Sequence, residues 1–311
     1  MKERTTLVTG AGGFVCSEVA LALHRSGQDV LAVDQAFDAA TTARLKGIRQ
    51  MKGHLPKVLS ELDHTGFKAV IHGAAITASP ERLGISHAQH IRHDMDLLTA
   101  TLDFARGAGA TKFLFISSMG VFEPNETPFL NGRFTEATEP TATCTYCASK
   151  QAGELLTTSA AEHGFATLSA RLGNIFGAHE AIRNTRQHLC LVSRMLEEAR
   201  ARGVITVQSP EAEREWSWLP DLAGTIALFM QQFLTKNSRV IHAGSPPVIT
   251  DLALTRAIAA RIQGATIRLS PLPHDPIRPP MGSEVSSVFD TPDWTGIEDA
   301  LDGMIRAEVT I

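Results

Sequence analysis

The sequence predicts an α/β protein built on a doubly wound, parallel sheet and followed by a smaller C-terminal α/β lobe. Three observations carry that expectation. Short β-branched runs alternate with longer helical patterns at 5–9, 14–26, 29–33, 69–72, 86–109 and 112–117, the βαβ rhythm of parallel strands with helices on both faces. The first strand-to-helix junction is glycine-rich, Gly10-Ala11-Gly12-Gly13. A helical pattern at 147–163 and a further strand at 167–171 then repeat the unit. A sheet of this kind, opening on a glycine turn, is of Rossmann type and binds its ligands at the carboxyl edge of the strands.

After the strand at 167–171 the pattern loosens, and a second lobe begins near Gly173. Residues 219–234 read again as a helix able to cover a sheet, whereas 246–280 are rich in proline and turn residues. The expected division is therefore 1–172 as a dinucleotide-binding domain, with 213–240 returning to it, and 173–212 with 241–311 as a substrate-binding lobe. No internal repeat is visible.

The 311 residues are 43% apolar and 20% charged, ordinary for a folded domain with a sizeable core. No run approaches the roughly 20 apolar residues that a membrane helix needs, so no membrane partner is expected. A net charge of −4 without a Lys/Arg stripe gives no footprint for nucleic acid. The polar residues 1–6 run straight into a strand and leave no room for a signal peptide, making a cytoplasmic location the default. In that setting the four cysteines, Cys16, Cys144, Cys147 and Cys190, read as four thiols. The lone Cys-x-x-Cys at 144 and 147 has neither a second pair nor a nearby histidine, so no metal and no redox site is expected from it.

Glycines at 10, 12 and 13 suit a tight turn at which a pyrophosphate approaches the backbone and meets the unpaired N–H groups of a helix N-terminus. Gly10, Gly12, Gly13, Phe14 and Val15 are thus candidate cofactor contacts. Cys16 stands where a third glycine is common, and its side chain is expected to crowd the pyrophosphate slightly. Asp34 closes the second strand about twenty residues after the turn, placed for the adenosine ribose hydroxyls; a carboxylate there repels a 2′-phosphate and favours NAD over NADP.

Tyr146 is the only tyrosine in the chain, and Lys150 follows four residues later on the first turn of a helix, on the same face. A free phenol, titrating near 10, is a poor base at neutral pH. An ammonium about 5 Å away at an effective dielectric near 20 favours phenolate by roughly 3 kcal/mol. Ser118 ends a strand at the sheet's carboxyl edge, where its hydroxyl can orient a substrate oxygen. Ser117 competes for that role, strand-end capping is the plain structural alternative for both, and Ser118 is preferred.

These residues resemble the extended short-chain dehydrogenase/reductase superfamily, in its NAD-dependent epimerase/dehydratase branch, to which nucleotide-sugar 4-epimerases belong. The resemblance covers nearly the whole chain. It rests on Thr9-Gly10-Ala11-Gly12-Gly13-Phe14, His72-Gly73-Ala74-Ala75, Ser117-Ser118-Met119-Gly120-Val121-Phe122, Tyr146-x-x-x-Lys150, Arg171-Leu172-Gly173-Asn174-Ile175-Phe176-Gly177 and Arg214-Glu215-Trp216-Ser217-Trp218-Leu219-Pro220-Asp221.

The resemblance implies that Ala74 and Ala75 line the cofactor, that Ile175 approaches the nicotinamide, and that Asn174 and Arg214 hold the substrate together with Ser118. It also implies a homodimer through the helices at 86–109 and 147–163. Read plainly, Arg214 is an ion-pair residue, and Trp216 and Trp218 are core. Cys16, Asp94 near a usual asparagine, and Gly53-His54-Leu55 depart from the pattern. Met119 and Gly120 after Ser118, in place of an acidic pair, disfavour a 4,6-dehydratase.

The expected activity is NAD-dependent hydride transfer at a hydroxyl carbon of a sugar or nucleotide-sugar, with Ser118, Tyr146 and Lys150 as the catalytic group. A dehydrogenase or reductase of a small sugar, sugar acid or keto compound uses the same group. A non-catalytic NAD-sensing protein on the same fold is the alternative of another class. Substrate shape falls to 174–186 and 240–280, where no motif names a sugar.

Overall fold

The structure, a computed structural model, describes residues 5–124, 132–183, 188–232, 239–271, 278–283 and 293–309. Residues 184–186 and 272–277, parts of the two stretches expected to shape the substrate, lie outside the described residues.

The chain runs β1 (Thr5–Thr9), α1 (Phe14–Arg25), β2 (Val30–Asp34), α2 (Ala39–Arg44), β3 (Arg49–Lys52), α3 (Leu55–Glu61), β4 (Phe67–His72), α4 (Pro80–Leu83), α5 (His87–Gly107), β5 (Lys112–Ser118) and α6 (Thr145–Ser159). It continues through β6 (Ala166–Leu172), β7 (Asn174–Phe176), α7 (Leu191–Arg202), β8 (Val204–Val207), β9 (Glu213–Trp218), α8 (Leu219–Gln232), β10 (Arg239–His242), β11 (Val248–Thr250), α9 (Asp251–Ala259), β12 (Thr266–Leu269) and α10 (Ile297–Val309).

Seven strands form one sheet in the order β10-β6-β5-β4-β1-β2-β3, and every pairing in it is parallel. The strands alternate between two buried faces, as the period-2 geometry of a strand requires. Val8, Ile71 and Leu114 pack with Val19 and Leu23 of α1 and with Ile226 and Phe229 of α8. Their neighbours Leu7, Val70 and Phe113 pack with Leu55 and Val58 of α3 and with Leu98 and Leu102 of α5. The expected doubly wound Rossmann sheet is present. From β1 the chain builds outward on one side through β2 and β3, then crosses to β4 on the other. That reversal is the switch point at which such sheets open a ligand crevice.

Of the stretch 213–240, α8 packs on α1 and β10 pairs with β6 in the main sheet. β9 instead joins β7 and β11 in a separate three-stranded sheet. A second core sits behind it, with Phe176, Leu196, Trp216, Ile258 and Leu301 buried together. The stretch read as turn-rich, 246–280, contains β11, α9 and β12. The Thr250 hydroxyl caps α9 by accepting from Ala253 N at 3.1 Å, the side-chain signal that the surrounding prolines masked. Among the described residues no helix is long and apolar enough to cross a membrane.

Candidate active site

The junction between β1 and α1 is held by backbone geometry. Gly10 lies at φ +71°, and a Cβ there would come within 2.7 Å of Ala74 N. Gly13 is the N-cap of α1, with Gly13 N donating to Gly10 O at 2.9 Å. A Cβ on Gly12 would run into Ala36 O, and Gly12 N donates to Asp34 Oδ2 at 2.9 Å. Asp34 Oδ1 accepts from Ala36 N at 3.1 Å. Burial raises this carboxyl above its ordinary range, against the pull of those N–H groups.

Cys16 is buried, with its thiol pushed up to about 12 by that burial. Its sulfur occupies the space that a Cβ on Gly73 would need, so the missing side chain of Gly73 accommodates the larger residue in the helix.

A cavity of about 1800 Å³ opens over this turn and along the carboxyl ends of the strands. Gly10, Gly13, Phe14, Val15, Asp34, Ala74, Ala75, Ser118, Tyr146, Lys150, Asn174, Ile175 and Arg214 all line it. Gly12 does not. It is buried directly behind that lining, where its lack of a side chain lets the loop pass Ala36. The cavity exceeds the roughly 300–1,000 Å³ of a single drug-sized ligand, leaving room for a dinucleotide beside a second molecule. The cradle fits a pyrophosphate, since a Cβ at Gly10 or Gly12 would collide with backbone around it.

Tyr146 and Lys150 lie on the first turns of α6. Lys150 is 5% exposed. Its Nζ donates to Ile116 O at 2.8 Å and stands 5.7 Å from the centre of the Tyr146 ring. The two serines at the end of β5 point to opposite faces, as successive strand residues must. Ser117 is buried, its hydroxyl donating to Glu154 Oε1 at 2.6 Å. Glu154 in turn takes two hydrogen bonds from Arg171, at 2.8 and 2.7 Å. Ser118 Oγ accepts from Gly120 N at 3.0 Å. A Cβ on Gly120 would sit 3.2 Å from that oxygen and 3.3 Å from Tyr146 Cε1, so this glycine lets hydroxyl and phenol ring share one corner.

The opposite wall is built from paired polar groups. Asn174 donates from its backbone N and its Nδ2 to Glu215 Oε1, at 3.1 and 3.2 Å. Glu215 is fully buried and also accepts from Met281 N at 3.1 Å. Burial raises it to about 7 despite those donors. Arg214 donates through Nε and Nη2 to Asp251, at 2.8 and 3.2 Å, so it is an ion-pair residue that also lines the cavity. Arg194 lines the same wall. Trp216 is core, packed edge-on against Phe176 with ring centres 6.1 Å apart.

Sequence reasoning missed Glu215, Asp251 and Arg194. Only Glu215 carried a signal, its place beside Arg214 in a motif. His72, buried against Thr9 Oγ1 at 3.0 Å, is pushed down to about 3 by burial and by Lys150 and serves the fold.

One expectation fails outright. Cys144 and Cys147 are joined by a disulfide, with their Cα atoms 4.9 Å apart, and only Cys16 and Cys190 remain thiols. The cause is local. Cys144 is the N-cap of α6 and accepts from Cys147 N at 3.1 Å, and that cap brings the two side chains onto one turn at bonding distance.

Comparison with known proteins agrees with this geometry. Residues 6–244 match the NAD dependent epimerase/dehydratase family. A UDP-glucose 4-epimerase of Corynebacterium glutamicum is 28% identical over 252 residues, covering 77% of this chain and 74% of that protein. Among solved structures, the UDP-Glc/GlcNAc 4-epimerase of Campylobacter jejuni superimposes with a TM-score of 0.81 at 14% identity, covering 99% of this chain and all of that one. A UDP-glucose-4-epimerase of Stenotrophomonas maltophila, solved with bound NAD and formylated UDP-arabinopyranose, gives 0.81 at 20% identity and 99% of both chains. With its glycine cradle, its Asp34 and a family match spanning most of the sequence, the chain belongs to the NAD dependent epimerase/dehydratase family of extended short-chain dehydrogenases.

Proposed function

We propose that the protein is an NAD-dependent epimerase acting at a hydroxyl carbon of a nucleotide-sugar. The observation that carries this reading is the convergence of Ser118, Tyr146 and Lys150 in a cavity with room for a dinucleotide and a second ligand. Bound NAD supplies a hydride acceptor that can also return the hydride. Gly10, Gly12, Gly13, Phe14, Val15, Asp34, Ala74, Ala75 and Ile175 would hold it, together with Tyr146 and Lys150.

Tyr146 takes the proton of the substrate hydroxyl at its phenol oxygen and later gives it back. Lys150, fixed on Ile116 O, stands 5.7 Å from the centre of that ring, placed to steady the charge that develops on the phenol oxygen as the proton moves. Ser118 already accepts from Gly120 N, so its own proton is free to be donated to the substrate oxygen. Glu215 holds the Asn174 amide nitrogen, turning the carbonyl oxygen of Asn174 toward substrate donors, and Arg214 meets the anionic part of the substrate. In this reading 1–172 bind the cofactor with α8 and β10, while β7, β9, β11 and the helices packed on them bind the sugar. Leu155, 73% exposed on α6, supports dimerisation through α5 and α6.

The test is interconversion of UDP-glucose and UDP-galactose followed by NMR, with Tyr146→Phe as the control. The variant should lose about 10³-fold in kcat with its melting temperature unchanged; full turnover would remove Tyr146 from the reaction. Stoichiometric NAD released on denaturation after gel filtration supports an epimerase. Its absence favours a dehydrogenase that exchanges NAD.

A further inference from the structure

We propose that Cys144 and Cys147 form a reversible thiol–disulfide site that exchanges with a dithiol and sets how firmly the turn carrying Tyr146 is held. The pair brackets Thr145 and Tyr146 at the start of α6. Among the described residues the Tyr146 hydroxyl makes no hydrogen bond, so the phenol is placed by its backbone turn and by ring contact with the Gly120 corner. Besides the hydrogen bonds of the helix and its cap, Ala148 N to Cys144 O and Cys147 N to Cys144 Sγ, two side-chain ties hold that turn. One is the disulfide; the other is Thr145 Oγ1, 2.5 Å from Nδ1 of His87 on α5.

The two sulfurs differ in access. Cys144 is exposed and Cys147 is buried, so an incoming thiolate attacks Cys144 Sγ. The S–S bond breaks, and Cys147 leaves as a thiolate that takes up a proton. The resulting mixed disulfide on Cys144 is displaced by the second thiol of the reductant. The dithiol is thereby oxidised to its own disulfide, and the protein pair takes up two electrons and two protons. Cys144 Sγ can go on capping Cys147 N after reduction, so the helix persists while its first turn loses the covalent tie. Cys16 and Cys190 lie outside this chemistry, since burial pushes both thiols up to about 12.

The inference that reduction slows turnover rests on Tyr146 being the base; the reading of the turn itself does not. Protein purified in air and unfolded in guanidinium should show two titratable thiols, rising to four after dithiothreitol, in keeping with four cysteines and one disulfide. Amide exchange across 144–150, read by mass spectrometry on the folded protein, should accelerate about ten-fold on reduction without change in circular dichroism. UDP-glucose turnover should fall several-fold and return on reoxidation with glutathione disulfide. Cys144→Ser/Cys147→Ser, which retains a capping hydroxyl, should exchange like the reduced protein and ignore dithiothreitol. Four thiols in the air-purified protein, or equal amide exchange in both redox forms, would overturn the proposal. If no nucleotide-sugar is turned over in either form, the amide exchange still decides it.

Discussion

The two walls of the cavity are built by different means. On the side of the main sheet, the cavity-facing groups are set by the backbone: a positive φ at Gly10, a helix with Gly13 as its N-cap, a lysine lodged on a strand carbonyl. On the side of the second lobe they are set by side chains gripping one another, Asn174 on Glu215 and Arg214 on Asp251. A backbone device needs specific residues at short spacing and leaves a motif. A side-chain grip joins residues far apart and leaves none.

The first wall should break most completely at its least accommodating point. In Gly12→Ala the added methyl meets the carbonyl of Ala36, a backbone atom that cannot swing aside. Relief requires moving the loop that carries Asp34, at a cost of roughly 3 kcal/mol. The variant should release its NAD on gel filtration and melt several degrees lower. An unchanged melting temperature with NAD retained would show that the turn has slack the close contacts do not suggest.

The second wall should show itself through pH. Glu215 is raised to about 7 from an ordinary value of 4.5, so in the window between them the native protein binds a proton that the unfolded chain has already lost. The contribution of this group to stability is therefore full below 4.5 and is lost as pH rises toward 7. Glu215→Gln mimics the protonated acid and should flatten the dependence. Relative to the parent, the variant should gain roughly 1–3 kcal/mol between pH 5 and pH 7.5 in urea unfolding. A parallel pair of curves would mean that the carboxyl ionises in place without cost.

The contrast also explains what could be read from the sequence. β1, β4, β5 and α1, α5, α6 announced themselves through periodicity, and the glycine turn and the Tyr146–Lys150 spacing through motif. α2, β3 and α3, of six, four and seven residues, are too short to show a period. The choice between Ser117 and Ser118 was open in sequence because it turns on which face of β5 each occupies, and the Glu154–Arg171 pair that claims Ser117 is assembled only in the fold. The partners of Glu215 come from 41 and 66 positions away. The disulfide was missed for another reason: the spacing was visible, but the assumption of a reducing compartment outweighed the capping geometry that draws the sulfurs together.

The mildest test falls on Arg214, where two accounts predict different readouts. As a bare ion-pair residue it matters only to Asp251, which is 5% exposed at its side chain. As a substrate ligand it is an anion receptor whose orientation Asp251 fixes in advance through two parallel hydrogen bonds, leaving Nη1 for the substrate. Arg214→Lys keeps the charge and loses the fork, because an ammonium cannot hold both carboxylate oxygens and reach outward as well. If Arg214 contacts the nucleotide-sugar, the loss of about 1 kcal/mol should raise KM roughly five-fold with kcat unchanged. If it serves only the pair, KM stays where it was and only the melting temperature falls. Since Nε and Nη2 are committed to Asp251 while the side chain lines the cavity, the prediction is the first outcome, with the rise in KM larger than the small loss of stability accounts for.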